Sequence, residues 1–225
     1  ALPAFGGLVM SFEKINKIIE LDEKNLTVTV EPGVVTSEIS KLAARHDLLY
    51  AGDPCSGDAS FIGGNIAANA GGNKVIKYGA TGAQVRALEV VMADGTATWF
   101  GGKRRKDVTG LDFTHLMAGS EGVLAIITKA VLILLPLPRH SVDLLAAFPD
   151  PETAIPFVPQ IIKKGGIVPA SIEFMDKKAL ELVERYLNNP VPASDAGAAL
   201  IIQLEENDQD VLERVYERIG ALAKE

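Results

Sequence analysis

The distribution of apolar and polar positions predicts separate strands and short helices in the first 138 residues. Residues 26–31 alternate apolar and polar, which predicts a strand with one buried face, and apolar residues at helical spacing predict a helix beginning at Thr36. The glycine-rich region that follows predicts ordered loop with a short helix at 65–69. The other elements expected here are an apolar strand directly after Gly6-Gly7, strands at 88–92 and 96–100 joined by an Asp-Gly turn, a helical turn at 113–117, and one or two buried strands within 124–135.

After Pro138 the pattern changes to strands and helices that alternate regularly with short connections. The expected strands lie at 142–148, 170–174 and 198–204, and the expected helices at 152–163, 177–187 and 208–223. This change of pattern predicts two domains of mixed α+β class, residues 1–138 and residues 139–225.

Glycine is concentrated in one short segment. Eight of the 21 glycines fall between Gly52 and Gly82, including two Gly-Gly-Asn steps at 63–65 and 71–73. Ordering glycine is costly, so such a run indicates tight turns or a ligand close to the backbone. The Walker A and Rossmann glycine patterns are both absent. Exposed backbone N–H groups, a helix start near Asn65, and the amides of Asn65 and Asn69 on one side of that helix would suit an anion or a polar ligand. A purely structural crossover remains an equal alternative at this point.

Composition and charge exclude several classes of function. The net charge of −7 argues against nucleic acid as a partner, and the basic run at 103–106 is interpreted as a solvated turn. The single cysteine and three widely spaced histidines form no local metal motif, so no metal is expected. We interpret the Gly-Ser-Glu-Gly stretch at 119–122 as a turn and Cys55 as a small packing residue. The Lys77-Tyr78 pair suits either a cofactor contact or the end of a surface strand.

The order of these motifs resembles one enzyme family. The series runs through Val-Glu-Pro-Gly-Val at 30–34, Gly-Asp-Pro-Cys-Ser at 52–56, Ile-Gly-Gly-Asn at 62–65, Asn-Ala-Gly-Gly at 69–72, Lys-Tyr-Gly at 77–79, and Gly-Ser-Glu-Gly-Val-Leu at 119–124. It is similar to the FAD-linked 2-hydroxyacid dehydrogenases, which include the FAD-binding subunit of glycolate oxidase and the D-lactate dehydrogenases. The resemblance implies the second part of a vanillyl-alcohol-oxidase (PCMH)-type FAD-binding domain, followed by part of a ferredoxin-like cap domain.

The resemblance also implies which residues contact the FAD cofactor. By correspondence with the family, the candidate contacts are Pro54, Cys55, Ser56, Gly63, Gly64, Asn65, Asn69, Gly71, Gly79, Glu121 and Ile126. Ala125 stands where relatives usually have glycine and is expected to add a methyl group beside the flavin. No residue matches a catalytic base or a metal ligand of the family, so none is assigned.

The implied reaction passes a hydride from the α-carbon of a 2-hydroxy acid, of glycolate or D-lactate type, to the flavin. A quinone, an electron-transfer flavoprotein or an iron–sulfur subunit would take the electrons onward. The chain is expected to be a fragment that lacks the family's N-terminal subdomain and C-terminal end. Apolar surface within residues 1–12 would then favour self-association or a partner subunit. The alternatives are sugar-reductase-like flavin chemistry and a non-enzymatic module on the same fold. The expected location is cytoplasmic, with membrane association through partners as a second expectation.

Overall fold

The computed structural model describes residues 5–224 and divides into two compact units. Unit 1 consists of Ala1–Gly72 and Gly79–Leu137, and unit 2 of Asn73–Tyr78 and Pro138–Glu225. The short segment Asn73–Tyr78, which the sequence pattern places in the first domain, therefore groups by its contacts with the second unit. No helix among the described residues is long and apolar enough to cross a bilayer.

Unit 1 contains a five-stranded antiparallel sheet in the order β1-β2-β6-β4-β5. Its strands are β1 (Ile18–Asp22), β2 (Thr27–Val30), β4 (Val85–Val91), β5 (Ala97–Gly101) and β6 (Ile126–Ile133), while β3 (Leu48–Leu49) pairs with β7 (Leu135–Pro136). The helices are α1 (Thr36–Ala44), α2 (Ile62–Ala68) and α4 (Phe113–Met117). One hydrophobic cluster, which includes Ile39, Ile66 and Leu132, joins α1 and α2 to the sheet. These elements confirm the predicted strand before Pro32, the helix from Thr36, the Asp-Gly hairpin and the helical turn at 113–117.

The beginning of unit 1 differs from the prediction. The expected strand after Gly6-Gly7 does not form, since residues 8–10 are exposed and outside regular structure; the first four residues lie outside the described range. The strand that does form, β1, was not predicted because its sequence, Ile-Ile-Glu-Leu-Asp, alternates apolar and polar residues only in part. A strand needs a neighbouring strand to pair with, and β1 pairs with β2. Among the described residues, no strand pairs with residues 8–10.

Unit 2 alternates strands and helices as the sequence predicts. Its elements are α3 (Val75–Tyr78), β8 (His140–Phe148), α5 (Pro151–Lys163), β9 (Ser171–Asp176), α6 (Lys177–Leu187), β10 (Ala198–Glu206) and α7 (Gln209–Leu222). The strands form an antiparallel sheet in the order β8-β10-β9. A separate hydrophobic cluster, which includes Phe157, Leu200 and Ile219, fills the space between this sheet and helices α5 and α7. All six elements predicted after Pro138 are confirmed.

The basic run after β5 is partly paired with carboxylates. Lys103 Nζ donates to Glu20 Oε2 at 2.6 Å and to Asp22 Oδ2 at 3.1 Å, and Arg104 pairs with Asp107 at 2.8 Å. The Lys103 pairs connect β1 with the loop after β5, and β1 and β5 are the two edge strands of the sheet. The Arg104 pair lies within that loop. The interpretation of this run as a solvated turn holds for Arg104, whose side chain is 73% exposed, whereas Lys103 is partly covered by its carboxylate partners.

We expect Asp22 to titrate well below its usual range. Its pKa is lowered from 3.8 to about 2, first by the hydrogen bonds donated by the side chain and backbone of Asn25 and then by Lys103. Because the folded-state pKa is depressed, this carboxylate stabilises the fold fully above the unfolded-state pKa, and the contribution is lost as the pH falls toward 2. Substituting Asn25→Ala should raise the pKa of Asp22 toward 3.8. A carboxyl carbon NMR titration measures it, with Asn207→Ala as the control; an unchanged pKa in Asn25→Ala would contradict the prediction.

Candidate cofactor-binding surface

Helix α2 begins earlier than its sequence suggests, and its first two backbone N–H groups already donate hydrogen bonds within the protein. The N–H of Ile62 donates to the carbonyl of Val34 at 2.9 Å, and that of Gly63 to the carbonyl of Pro32 at 2.9 Å. These bonds seat the helix against the turn that follows β2. The expected helix start near Asn65, with N-terminal donors aimed at an anion, is therefore wrong: the helix begins three residues earlier and these donors serve the fold.

The two neighbouring glycines of α2 have different surroundings. A Cβ added to Gly63 would lie 2.5 Å from Pro32 Cβ, which is far inside van der Waals contact. A Cβ added to Gly64 would meet nothing within 4 Å, and Gly64 is exposed. Packing therefore explains the first glycine and not the second. Gly64 leaves open space on the outer side of the helix.

The side-chain amides of the two asparagines Asn65 and Asn69 bond within the protein, unlike the prediction. Asn65 is buried, and its Nδ2 donates to Thr36 Oγ1 at 2.6 Å and to Ser60 Oγ at 3.0 Å. Asn69 ends α2 in the left-handed conformation, with φ of 47°, and its Oδ1 accepts the Gly82 N–H at 2.8 Å. The expectation that both amides face a ligand from one side of a helix is therefore wrong. Asn65 connects α1 to α2, and Asn69 holds the chain where it returns after the glycine run.

The Gly-Ser-Glu-Gly loop closes the carboxyl end of α2. Gly119 N–H donates to the carbonyl of Ile66 at 2.9 Å, and Glu121 N–H to that of Ala67 at 2.8 Å. Glu121 has a positive φ of 53°, between glycines that also have positive φ. These bonds confirm the interpretation of the stretch as a turn. They place the loop against the last turn of α2.

The loop at residues 53–57 meets the second glycine pair. A Cβ on Gly72 would overlap the carbonyl of Asp53, so the two backbones lie in direct contact. Within the loop, the Gly57 N–H donates to the carbonyl of Pro54 at 2.8 Å. Cys55 is exposed, so its interpretation as a packing residue is wrong. The contact between Gly72 and Asp53 therefore joins the loop at residues 53–57 to the loop that follows α2.

The predicted contact residues divide by exposure, and the ligand contacts themselves stay a prediction. The exposed ones are Cys55, Ser56, Gly64, Asn69, Gly71, Glu121 and Ile126. Those partly covered are Gly63 and Gly79, and those buried are Pro54 and Asn65. We take the exposed set as the candidate surface.

An apolar strip extends this surface beyond the glycines. Val123 is 83% exposed, Leu124 40% and Ile126 37%, directly after the turn that contains Glu121. The pattern of residues 124–135 predicts only buried strand, so the exposure of Leu124 and Ile126 was missed. The methyl group of Ala125 belongs to the hydrophobic core of unit 1, with 8% exposure. The expectation that Ala125 adds bulk beside the flavin is therefore wrong.

A flavin dinucleotide fits this surface on physical grounds. The open space over Gly64 admits a ligand up to the backbone, and the apolar strip suits the face of a planar ring. No group of three or more His, Cys, Asp or Glu residues within 5–224 is arranged to hold a metal ion. A separate cavity of about 500 Å³ beside β5, whose lining includes Arg86, Trp99 and Phe113, contains none of the predicted contact residues.

Two family models match the chain. The model described as FAD binding domain matches residues 1–101, and the model described as FAD linked oxidases, C-terminal domain, matches residues 137–225. Both domains were implied by the resemblance to the FAD-linked 2-hydroxyacid dehydrogenases. The predicted cofactor, FAD, is confirmed.

The chain is also similar to curated proteins and to solved structures. It is 42% identical to the glycolate oxidase subunit GlcD of Bacillus subtilis, over 99% of this chain and 47% of that protein. It is 33% identical to the D-lactate dehydrogenase of Anaerostipes hadrus, over 98% of this chain and 47% of that protein. A crystal structure of alkyldihydroxyacetonephosphate synthase matches with a TM-score of 0.77 and 22% identity, over 94% of this chain and 40% of that one. The predicted fold class is confirmed, and the chain spans about half the length of the curated relatives it matches.

Proposed function

We propose that this chain, which matches the FAD binding domain model in its first part and the C-terminal domain model of FAD linked oxidases in its second, is part of an enzyme that oxidises a 2-hydroxy acid to the 2-oxo acid. The observation that carries this proposal is the similarity to the glycolate oxidase subunit and D-lactate dehydrogenase over nearly all of this chain. The substrate class is therefore a short 2-hydroxy acid of glycolate or D-lactate type.

The described residues contribute binding and orientation. Bound FAD would supply the two-electron acceptor for a hydride from the substrate α-carbon, with the hydroxyl proton passing to a base and a 2-oxo acid as the product. The exposed backbone at Gly64 and Gly71 would allow close approach of the dinucleotide, and Val123 and Leu124 would cover ring surface and exclude water from it. We assign the base to no residue of this chain.

The electron acceptor and the location follow from the same proposal. A relative named as a glycolate oxidase subunit supports an assembly in which a further subunit takes the electrons. A quinone, an electron-transfer flavoprotein or an iron–sulfur subunit suits this role chemically, since each accepts electrons from a reduced flavin. We propose a cytoplasmic location, with membrane association through such partners.

Visible absorption spectra test the proposal. The full-length protein that contains this chain should show the absorption bands of oxidised flavin, and anaerobic addition of glycolate or D-lactate should bleach them. The matched control is a carboxylic acid without the hydroxyl group, acetate or propionate, which has no hydride to give from a carbinol carbon. Bleaching by a reduced nicotinamide and by neither 2-hydroxy acid would overturn the assignment in favour of reductase chemistry.

A further inference from the structure

The segment between the two parts of unit 1 is fixed at its base and at its tip. At the base, Thr81 N–H donates to the carbonyl of Ala70 at 3.0 Å, and Thr81 Oγ1 donates to the same oxygen at 2.7 Å. The tip, Asn73–Tyr78, groups by its contacts with unit 2. Gly71 and Gly79, two predicted cofactor contacts, flank this tip. The glycine run is therefore a loop that leaves unit 1 and returns to it.

Glu205 on β10 accepts hydrogen bonds from three residues of this tip, Lys74, Lys77 and Tyr78. Lys74 Nζ lies 2.6 Å from Glu205 Oε1, and Tyr78 OH donates to Glu205 Oε2 at 2.8 Å. Lys77 Nζ donates to the backbone carbonyl of Glu205 at 3.1 Å. The Glu205 side chain is only 6% exposed, and both of its carboxylate oxygens have partners from one five-residue stretch.

The arrangement is strong because a buried carboxylate needs its partners. Hydrogen bonds to an ionised group are shorter and stronger than those between neutral groups. Removing the partner of a buried charge strongly destabilises the folded protein. The pKa of the Tyr78 phenol is raised, first by burial and then by Glu205, so the phenol stays protonated and continues to donate. The interpretation of Lys77-Tyr78 as the end of a surface strand is therefore wrong, since Tyr78 ends helix α3 and faces Glu205.

We propose that Glu205 is a positioning residue for FAD binding: by holding the tip Asn73–Tyr78 it fixes the backbone on either side, at Gly71 and Gly79. Glu205 acts through Lys74 and Tyr78 and has no need to touch the cofactor. This inference rests on the proposed function. FAD binding by residues of the FAD-binding domain would then also depend on Glu205, a residue of the C-terminal domain.

The test compares two adjacent glutamates in the full-length protein that contains this chain. Glu205→Gln removes the buried charge, while Glu206→Gln removes the neighbouring charge of β10, which raises the pKa of Tyr78 less than Glu205 does. Tyr78→Phe removes one hydroxyl and leaves the carboxylate in place. It keeps the proposal testable if the Glu205 variant does not fold. The measurements are amide hydrogen exchange at residues 69–82, the Kd for added FAD, and the unfolding midpoint.

We expect exchange at 71–80 to rise and the Kd for FAD to increase roughly tenfold in Glu205→Gln, with a smaller increase in Tyr78→Phe. Glu206→Gln should leave both unchanged. A lower unfolding midpoint with unchanged FAD affinity, in both Glu205→Gln and Tyr78→Phe, would overturn the positioning role and leave the proposed function intact. If the unsubstituted protein bound no FAD, the proposed function would fail first and the positioning role with it.

Discussion

Gly64→Ala should stabilise the chain without FAD and weaken its binding of FAD, whereas Gly63→Ala should destabilise the fold itself. Alanine is favoured over glycine in a helix by up to about 1 kcal/mol, and a Cβ at Gly64 meets nothing within 4 Å. The same Cβ at Gly63 would be forced against Pro32 Cβ at 2.5 Å, and overpacking of this kind typically costs about 1–3 kcal/mol. Alanine at Gly63 therefore tests the packing of the helix, and alanine at Gly64 tests the approach of the ligand.

Urea unfolding and FAD titration measure these two effects in each variant. For Gly64→Ala we expect a higher midpoint without FAD and a Kd for FAD raised roughly tenfold, because the new methyl group occupies space that the dinucleotide needs. Each variant is the matched control of the other, since both introduce one methyl group into the same helix. Unchanged FAD affinity in a stabilised Gly64→Ala would remove this helix from the cofactor surface.

Unit 2 could be predicted closely because its sequence obeys simple periodicities. Its strands and helices are of ordinary length and joined by short connections, so apolar spacing alone locates them. Unit 1 was harder. Strand β1 lacks clean alternation, and α2 begins at Ile62 because its first N–H groups bond to carbonyls at residues 32 and 34, a partnership that local sequence cannot reveal.

The candidate surface could be predicted as a set of residues but not as an arrangement. The motif order predicts FAD, which the family models confirm, but it does not distinguish exposed Gly64 from packed Gly63, nor exposed Asn69 from buried Asn65. Those distinctions depend on tertiary neighbours such as Pro32 and Thr36. Glu205 lies 127 residues from Tyr78 in sequence, and its partners carry no spacing signal that would identify them.

Leu132→Ala and Leu200→Ala should each destabilise only the unit that contains the residue, by about 2–5 kcal/mol. Both side chains are fully buried, and they belong to hydrophobic clusters that share no residue. The single tryptophan, Trp99, lies on β5 of unit 1, so its fluorescence reports on that unit. We expect Leu132→Ala to lower the urea midpoint followed by this fluorescence. Leu200→Ala should leave that midpoint in place and lower the one followed by far-ultraviolet circular dichroism.

The control for both core variants is Leu182→Ala on α6, whose side chain is 57% exposed and should shift either midpoint little. An equal fall of the Trp99 midpoint in Leu132→Ala and Leu200→Ala would contradict independent cores and show one cooperative unit. Independent unfolding would matter for the cofactor surface, because the tip Asn73–Tyr78 then takes its stability from unit 2 while its flanking glycines take theirs from unit 1. In that case Leu200→Ala should speed hydrogen exchange at residues 73–78 while α2 remains protected.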